Sequence, residues 1–339
     1  MFSSALAEKE FYVLKYILHR LLAMIPVLLG ILLIVFTLMF FSPGNPARQL
    51  LGANASEEAV WQLEEQLGLH DGFFVRFFNY LKDIVFHFDF GTSYSTGHPV
   101  MEEVLARLPY TLKLAAWSAS IAIVLGLITG IISAVRQYST FDNVATVVSL
   151  IGVSMPNFWQ GLINIIIFSV ALKWLPSSGS YGPEYWILPA VTLGTSCAAS
   201  VMRTTRSSML EVIRQDYIRM ARSKGQSEFI VIMKHAFKNA LIPIITVIGN
   251  MFGSLLGGSV LVESVFAIPG LGKYMIDAIS ERDYPVVLGS VLFLAVCFSL
   301  VNLLIDIIYC FIDPRVIEQY RKEGLKKKFV AKEAVANEA

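Results

Sequence analysis

Residues 203–243 read R-T-T-R-S-S-M-L-E-V-I-R-Q-D-Y-I-R-M-A-R-S-K-G-Q-S-E-F-I-V-I-M-K-H-A-F-K-N-A-L-I-P, a basic stretch set between two long apolar runs. Met209, Val212, Ile213, Tyr217 and Met220 recur largely at three- and four-residue intervals, which predicts one apolar stripe along a helix. Gly225 predicts the stop, because glycine enters the left-handed region without the steric cost that a Cβ carries. Ser227 and Glu228 have the pattern of a cap and an acidic first turn for a second helix, with Phe229, Ile230, Met233, Ala236 and Phe237 as its stripe. Two short amphipathic helices joined at a glycine make a shape that seats in a groove on a partner.

The sequence on either side is more apolar still. Of the 339 residues, 55% are hydrophobic and 16% charged, and the mean hydropathy is +0.61. A soluble chain carries about 25% charged residues. The shortage is concentrated in discrete runs, so the chain reads as an all-α integral membrane protein. Crossing the hydrocarbon core takes about 20 apolar residues. Six transmembrane helices are expected, at 21–41, 114–135, 158–172, 187–202, 240–261 and 286–312. Residues 143–155 are apolar too, but Pro156 separates them from the third run. One unbroken helix over both would be about 45 Å long, so an interfacial helix and a kink at Pro156 are expected before the span. The first run follows Lys9, Lys15, His19 and Arg20 and has no small-residue cleavage site, which makes it a retained span rather than a secretory signal.

Lysine and arginine in the short loops set the orientation. Residues 203–238 hold eight of them and the tail after Ile312 holds seven, whereas the 262–285 connection holds only Lys273 and Arg282. The expected division is a cytoplasmic 1–20, a first span at 21–41, an external 42–111 and a membrane core at 112–312. That core contains the cytoplasmic loop 203–238, and residues 313–339 form a cytoplasmic tail. The external segment has a pattern of its own. Ser56-Glu57-Glu58 predicts a capped helix carrying Val60, Trp61, Leu63 and Leu67, residues 73–88 are aromatic and amphipathic, and Phe90-Gly91-Thr92-Ser93-Tyr94 predicts an extended turn. These features describe a small folded subdomain.

Catalytic signatures are missing. Gly270-Leu271-Gly272-Lys273-Tyr274 imitates a phosphate loop, but residue 267 is alanine and tyrosine follows the lysine. The histidines are scattered, and Cys197, Cys297 and Cys310 lie in or at the end of apolar runs without metal-ligand spacing. No metal or cofactor is expected. Intramembrane charges mark ion relays, and none falls mid-span. Asp306 near the inner end of the last run and Glu263 just past the fifth are expected to be end-of-helix charges, each paired with a neighbouring arginine.

A series of short motifs runs through the chain in order. It comprises Gly44-Asn45-Pro46, Phe90-Gly91-Thr92-Ser93, Pro109-x-Thr111-Leu112, Pro156-x-Phe158-Trp159 and Leu175-Pro176-x-x-Gly179. Glu263-x-Val265-Phe266-x-x-Pro269-Gly270-Leu271-Gly272, Arg282-Asp283-Tyr284-Pro285 and Asp306-x-x-Tyr309-x-x-x-Asp313-Pro314-Arg315 complete it. With Asp216-Tyr217-Ile218-Arg219-x-Ala221-Arg222-x-Lys224-Gly225 and His235-Ala236-x-x-Asn239-Ala240-Leu241-Ile242-Pro243, the series resembles the permease subunits of bacterial ATP-binding cassette importers, in their dipeptide/oligopeptide branch. In the family's E-A-A-x-x-x-G loop, the triplet falls on Arg219, Met220 and Ala221, and only Ala221 and Gly225 match that general form.

The resemblance implies the six-span type I importer fold in the bacterial inner membrane. It also implies a second homologous permease subunit, two cytoplasmic ATPases, an external solute-binding protein, and alternating access driven by ATP. It makes Tyr217, Arg219, Met220, Ala221, Arg222 and Gly225 the ATPase-coupling residues; the loop's own pattern adds that its apolar stripe fills the ATPase groove while Arg214, Arg219 and Arg222 can pair with carboxylates at the rim. Asn239, Pro243, Pro269, Gly270, Gly272, Asp306, Asp313 and Arg315 become structural motif residues. The same scaffold serves importers of nickel–chelator complexes and of glutathione. A stand-alone intramembrane enzyme or channel is the reading of a different class, disfavoured by the missing catalytic pair and mid-span charge.

Overall fold

The computed structural model describes residues 2–52 and 54–312, so the expected tail with Asp313 and Arg315 lies outside the described residues. The chain opens with α1 (Phe2–Phe40), whose portion Ile17–Phe40 is apolar enough to cross a membrane. Three short helices follow, α2 (Pro46–Leu51), α3 (Glu57–Gln66) and α4 (Phe73–Lys82), the last widening into a π turn at Asp83–His87. Then come α5 (Val100–Val135), α6 (Thr140–Ser154) and α7 (Asn157–Asn164), which continues as a π segment to Ala171. The remainder is α8 (Ile187–Ile213), α9 (Asp216–Ser223), α10 (Glu228–Ile230), α11 (Lys238–Val265), α12 (Leu271–Glu281) and α13 (Tyr284–Ile312).

Five continuous helical stretches are long and apolar enough to span a bilayer, and the pair 140–154 and 157–171 makes a sixth if counted as one broken span. The two halves of that pair are bent by 108° at Met155-Pro156. Proline supplies no amide donor and biases the residue before it toward extended backbone, and Met155 is extended at ψ 129°. Several spans are longer than their apolar runs. The second begins at Val100, so its helix already includes residues 100–111. The fourth runs through Thr205 and Ser208 to Ile213, well past 202, because those small polar side chains are buried against neighbouring helices.

The centre of the bundle is α5 against α8. A Cβ on Gly126 would come within 2.6 Å of the Val201 Cβ, and one on Gly130 within 2.7 Å of the Thr205 Cβ. Small residues let membrane helices approach closely enough for dispersion and packing to hold them together. Leu114, Leu193, Val201, Leu255 and Phe266 form the buried layer where α11 joins this pair.

At the other end of the helices the 42–99 segment folds back. Asn45 Oδ1 accepts the Ala47 amide at 2.9 Å to start α2, and Ser56 Oγ accepts the Ala59 amide at 3.3 Å to start α3. In α3, Val60 is buried and Trp61 is 55% exposed. Phe73 and Phe77 of α4 meet Phe36 of α1 edge-on, with centroids 5.4 and 5.3 Å apart. The turn after Phe90 is closed by Asp283, whose Oδ2 accepts the Ser93 hydroxyl at 2.5 Å and the Ser95 amide at 3.1 Å. Two motifs far apart in sequence thus form one clasp.

Candidate functional site

The 203–238 loop is built differently from its periodicity. Gln215 is extended (φ −72°, ψ 149°) and breaks the helix between α8 and α9. Met209, fully buried, and Tyr217, 44% exposed, therefore do not share a stripe. The face that α9 buries is Ile218 and Ala221, one residue out of register with Tyr217 and Met220, and Met220 is 59% exposed. Ile218 and Ala221 pack with Ala134, Met209, Val231 and Ala236 at the base of the bundle.

Gly225 stands at φ +77° with open space around it, so backbone conformation alone selects glycine there. Its amide donates to the Arg222 carbonyl at 2.9 Å. Ser227 makes no side-chain cap. The segment after it is no separate short helix, because α10 passes through the π turn Val231–Phe237 directly into α11 and the fifth span. Widening the turn shifts the buried positions to Val231, Ile232 and Ala236. Phe229, Ile230 and Met233, expected on the stripe with Ala236, are exposed instead.

The basic residues are also partly committed within the chain. Arg222 reaches across the glycine turn to Glu228, Nε to Oε2 at 3.1 Å and Nη2 to Oε1 at 2.6 Å. Within this chain that pair braces the turn. Arg214 donates to Gln137 Oε1 at 3.3 Å, and Arg219, largely exposed, lies 3.7 Å from Asp216. Asn239 Nδ2 donates to the His235 carbonyl at 2.6 Å, and Pro243 lies inside α11 a turn later. The loop thus presents Tyr217, Met220, Phe229, Ile230 and Met233 to the outside while Ile218, Ala221, Val231 and Ala236 fix it to the bundle.

One residue pair that holds this loop went unread in the sequence. Asp142, 1% exposed, accepts Arg206 Nε at 2.6 Å and Nη2 at 2.7 Å. The Tyr138 amide adds a third bond at 2.9 Å, and Ser139 Oγ accepts the Asp142 amide at 3.3 Å. Ser139-x-x-Asp142 is a helix-start pattern that could have marked the acid. In the sequence Arg206 reads only as one of the loop's basic residues. The bidentate pair ties α6 to the last turns of α8, directly before α9.

On the opposite side, Glu263 has no arginine partner among the described residues, contrary to expectation. It is fully buried, and its Oε2 accepts the Lys273 amide at 3.0 Å, at the start of α12. A carboxylate there complements the positive end of the helix. Burial pushes its pKa up, and the Thr111 hydroxyl with the Lys273 and Gly272 amides pulls it partly back. The glycines of the motif are dictated by this packing. A Cβ on Gly270 would lie 2.4 Å from the Glu263 carboxyl carbon, and one on Gly272 would lie 2.6 Å from the Val260 Cα. Pro269 occupies the tight link between α11 and α12. Asp306 does meet an arginine, but it is Arg20 of α1 at 3.1 Å. Gly272→Ala is expected to cost about 1–3 kcal/mol by forcing backbone apart. Gly257→Ala, where a Cβ meets nothing within 4 Å, is expected to be near neutral. Thermal midpoints of the two variants in detergent check this difference.

These features define a multi-pass helical membrane subunit with an apolar loop face left uncovered by the described residues at one end. Residues 122–318 match the family described as binding-protein-dependent transport system inner membrane component, and residues 13–115 match its N-terminal companion. The chain belongs to that family, and is a membrane permease subunit of an inner-membrane transport system. It is 42% identical over 331 residues to the dipeptide transport system permease protein DppB of Alkalihalophilus pseudofirmus, covering 89% of this chain and 99% of the relative. A putative peptide transport system permease protein of Brucella abortus is 44% identical over 308 residues, covering 88% and 98%. The glutathione transport system permease protein GsiC of Salmonella choleraesuis is 41% identical over 303 residues, covering 89% and 99%. A crystal structure of an amino acid ABC transporter with histidines aligns at a TM-score of 0.47, with 17% identity, over 63% of this chain and 94% of its own.

Proposed function

We propose that this chain is the membrane-spanning permease subunit of an ATP-driven importer of di- and oligopeptides. It works as a heterodimer with a second, homologous permease, above two cytoplasmic ATPase subunits that hydrolyse the ATP, and receives peptide from an external binding protein. The observation that carries the coupling role is the outward-facing apolar set on the 217–233 loop, which no element covers among the described residues. Fully burying a side chain such as Met220 contributes roughly 1.5–3 kcal/mol, so leaving several exposed beside the membrane is favourable only where a partner covers them. Peptide as cargo is supported by the names of the relatives. Glutathione, itself a tripeptide, is the second reading, favoured by the similarity to GsiC.

Reconstitution of the purified complex in proteoliposomes tests the function. ATP-dependent uptake of a labelled dipeptide, abolished when this chain is omitted and outcompeted by unlabelled dipeptide rather than by glutathione, is the expected result. Uptake of glutathione alone would move the assignment to the second reading.

The proposed orientation puts the amino terminus, residues 203–238 and the carboxyl tail in the cytoplasm and the 42–99 subdomain outside. It rests on the lysine and arginine bias. In intact cells, an impermeant thiol reagent should modify a cysteine placed at Glu64 and spare one placed at Gln226. Modification of the second would reverse the topology.

A further inference from the structure

The 42–99 subdomain borders an open cavity of about 220 Å³ where it folds against the ends of α1 and α13. The cavity is remote in sequence from the coupling loop, and its lining is not that of an ordinary packing defect. Arg76 of α4 stands on its wall, 5.4 Å from the centroid of the Phe40 ring, with no carboxylate in salt-bridge reach among the described residues. Tyr80, one turn on, has its hydroxyl buried at the same cavity without a hydrogen-bond partner. Tyr94 and Tyr284 lie 6.3 Å apart on the facing side. Asp71 and Asp83 complete the charged lining, both open to solvent.

These groups are complementary to one kind of ligand. A guanidinium and an unpartnered phenol lining one cavity are donors for a carboxylate. Burial pushes the Tyr94 hydroxyl up to about 12 and the Tyr80 hydroxyl higher still, so both are neutral donors at any working pH. The two aspartates accept from an ammonium, and the Phe36 and Phe40 rings offer an apolar wall. A small polar site of this kind, with a few convergent groups on an aromatic surface, is how proteins hold small molecules. We propose that the cavity binds a small zwitterion, an α-amino acid or dipeptide, with its carboxylate on Arg76 and Tyr80 and its ammonium toward Asp71 and Asp83. Occupancy would brace α4 against α1 and the Tyr284 end of α13, so the ligand would stabilise this packing. The site does not depend on the reading of the coupling loop, and its occupancy is measured without ATP or transport.

The test uses the purified permease complex in nanodiscs, without the external binding protein, and ligand-observed NMR with phenylalanine and with Ala-Phe as separate probes. At least one of the two should bind, and which one does distinguishes an amino acid from a dipeptide. The N-acetylated, C-amidated form of either should not bind, having lost both charges. Arg76→Gln should weaken binding about tenfold or more, the scale of one charge-assisted hydrogen bond. Tyr80→Phe, which removes a single oxygen, should weaken it by a smaller factor, and it decides the matter if Arg76→Gln fails to assemble. Absence of binding by both probes, or binding that neither variant weakens, would overturn the proposal.

Discussion

Arg206→Ala is expected to be among the most damaging single substitutions in this chain. The Asp142 carboxylate it strands is 1% exposed and takes both guanidinium contacts from that one residue. Removing one member of a buried ion pair costs about 3–5 kcal/mol, because the remaining charge keeps its desolvation penalty without its partner. The break falls where α8 hands over to α9, so the coupling loop loses its footing on α6. The variant should accumulate poorly and melt early in fluorescence-detected size-exclusion runs. Arg206→Lys should recover only part of the loss, since a lysine cannot reproduce the two-pronged geometry. The double change Asp142→Asn with Arg206→Met should be milder than Arg206→Ala alone. A thermal midpoint for Arg206→Ala equal to the parent's would refute the pair's role.

The second large effect should appear in transport with assembly intact. Tyr217 and Met220 are exposed, so Tyr217→Asp with Met220→Asp leaves the fold of the isolated chain undisturbed. Docked in an ATPase groove, the same two carboxylates would each be buried without a partner, and the anchoring area would be lost. ATPase subunits should no longer co-purify, and ATP-driven peptide uptake should fall to background. The pairing with the second permease and the peptide affinity of the external binding protein should be unchanged. Ile218→Asp is the contrasting case, since Ile218 is fully buried within the chain and its substitution should cost stability before it costs coupling.

Long apolar runs were easy to read, because about 20 consecutive apolar residues have few other fates. Helix ends were harder. The fourth span continues through Thr205, Arg206 and Ser208, whose polarity hides the fact that they are packed. Within the loop, a 3.6-residue period was assumed across Arg214-Gln215 and again across Val231–Phe237. The first is a break and the second a widened turn, and each displaces the apolar face. Periodicity located the apolar residues of the loop but did not say which face met the bundle. Only the tertiary packing that buries Ile218 leaves Tyr217 and Met220 outside. Pairings between residues distant in sequence, such as Asp142 with Arg206 or Ser93 with Asp283, carry no local signal at all. The glycines of the 263–272 motif are visible as a pattern, while the buried Glu263 carboxyl that requires them reads in sequence as an end-of-helix charge paired with an arginine.

The central claim is that the exposed loop face is covered by an ATPase. It is tested most directly by incorporating a photo-crosslinking amino acid in place of Met220 and irradiating native membranes. The account predicts an adduct between this chain and a cytoplasmic ATPase subunit, and none when the same group replaces Glu64. An adduct from the Met220 site to the external binding protein, or adducts to lipid alone with the ATPases present, would contradict it.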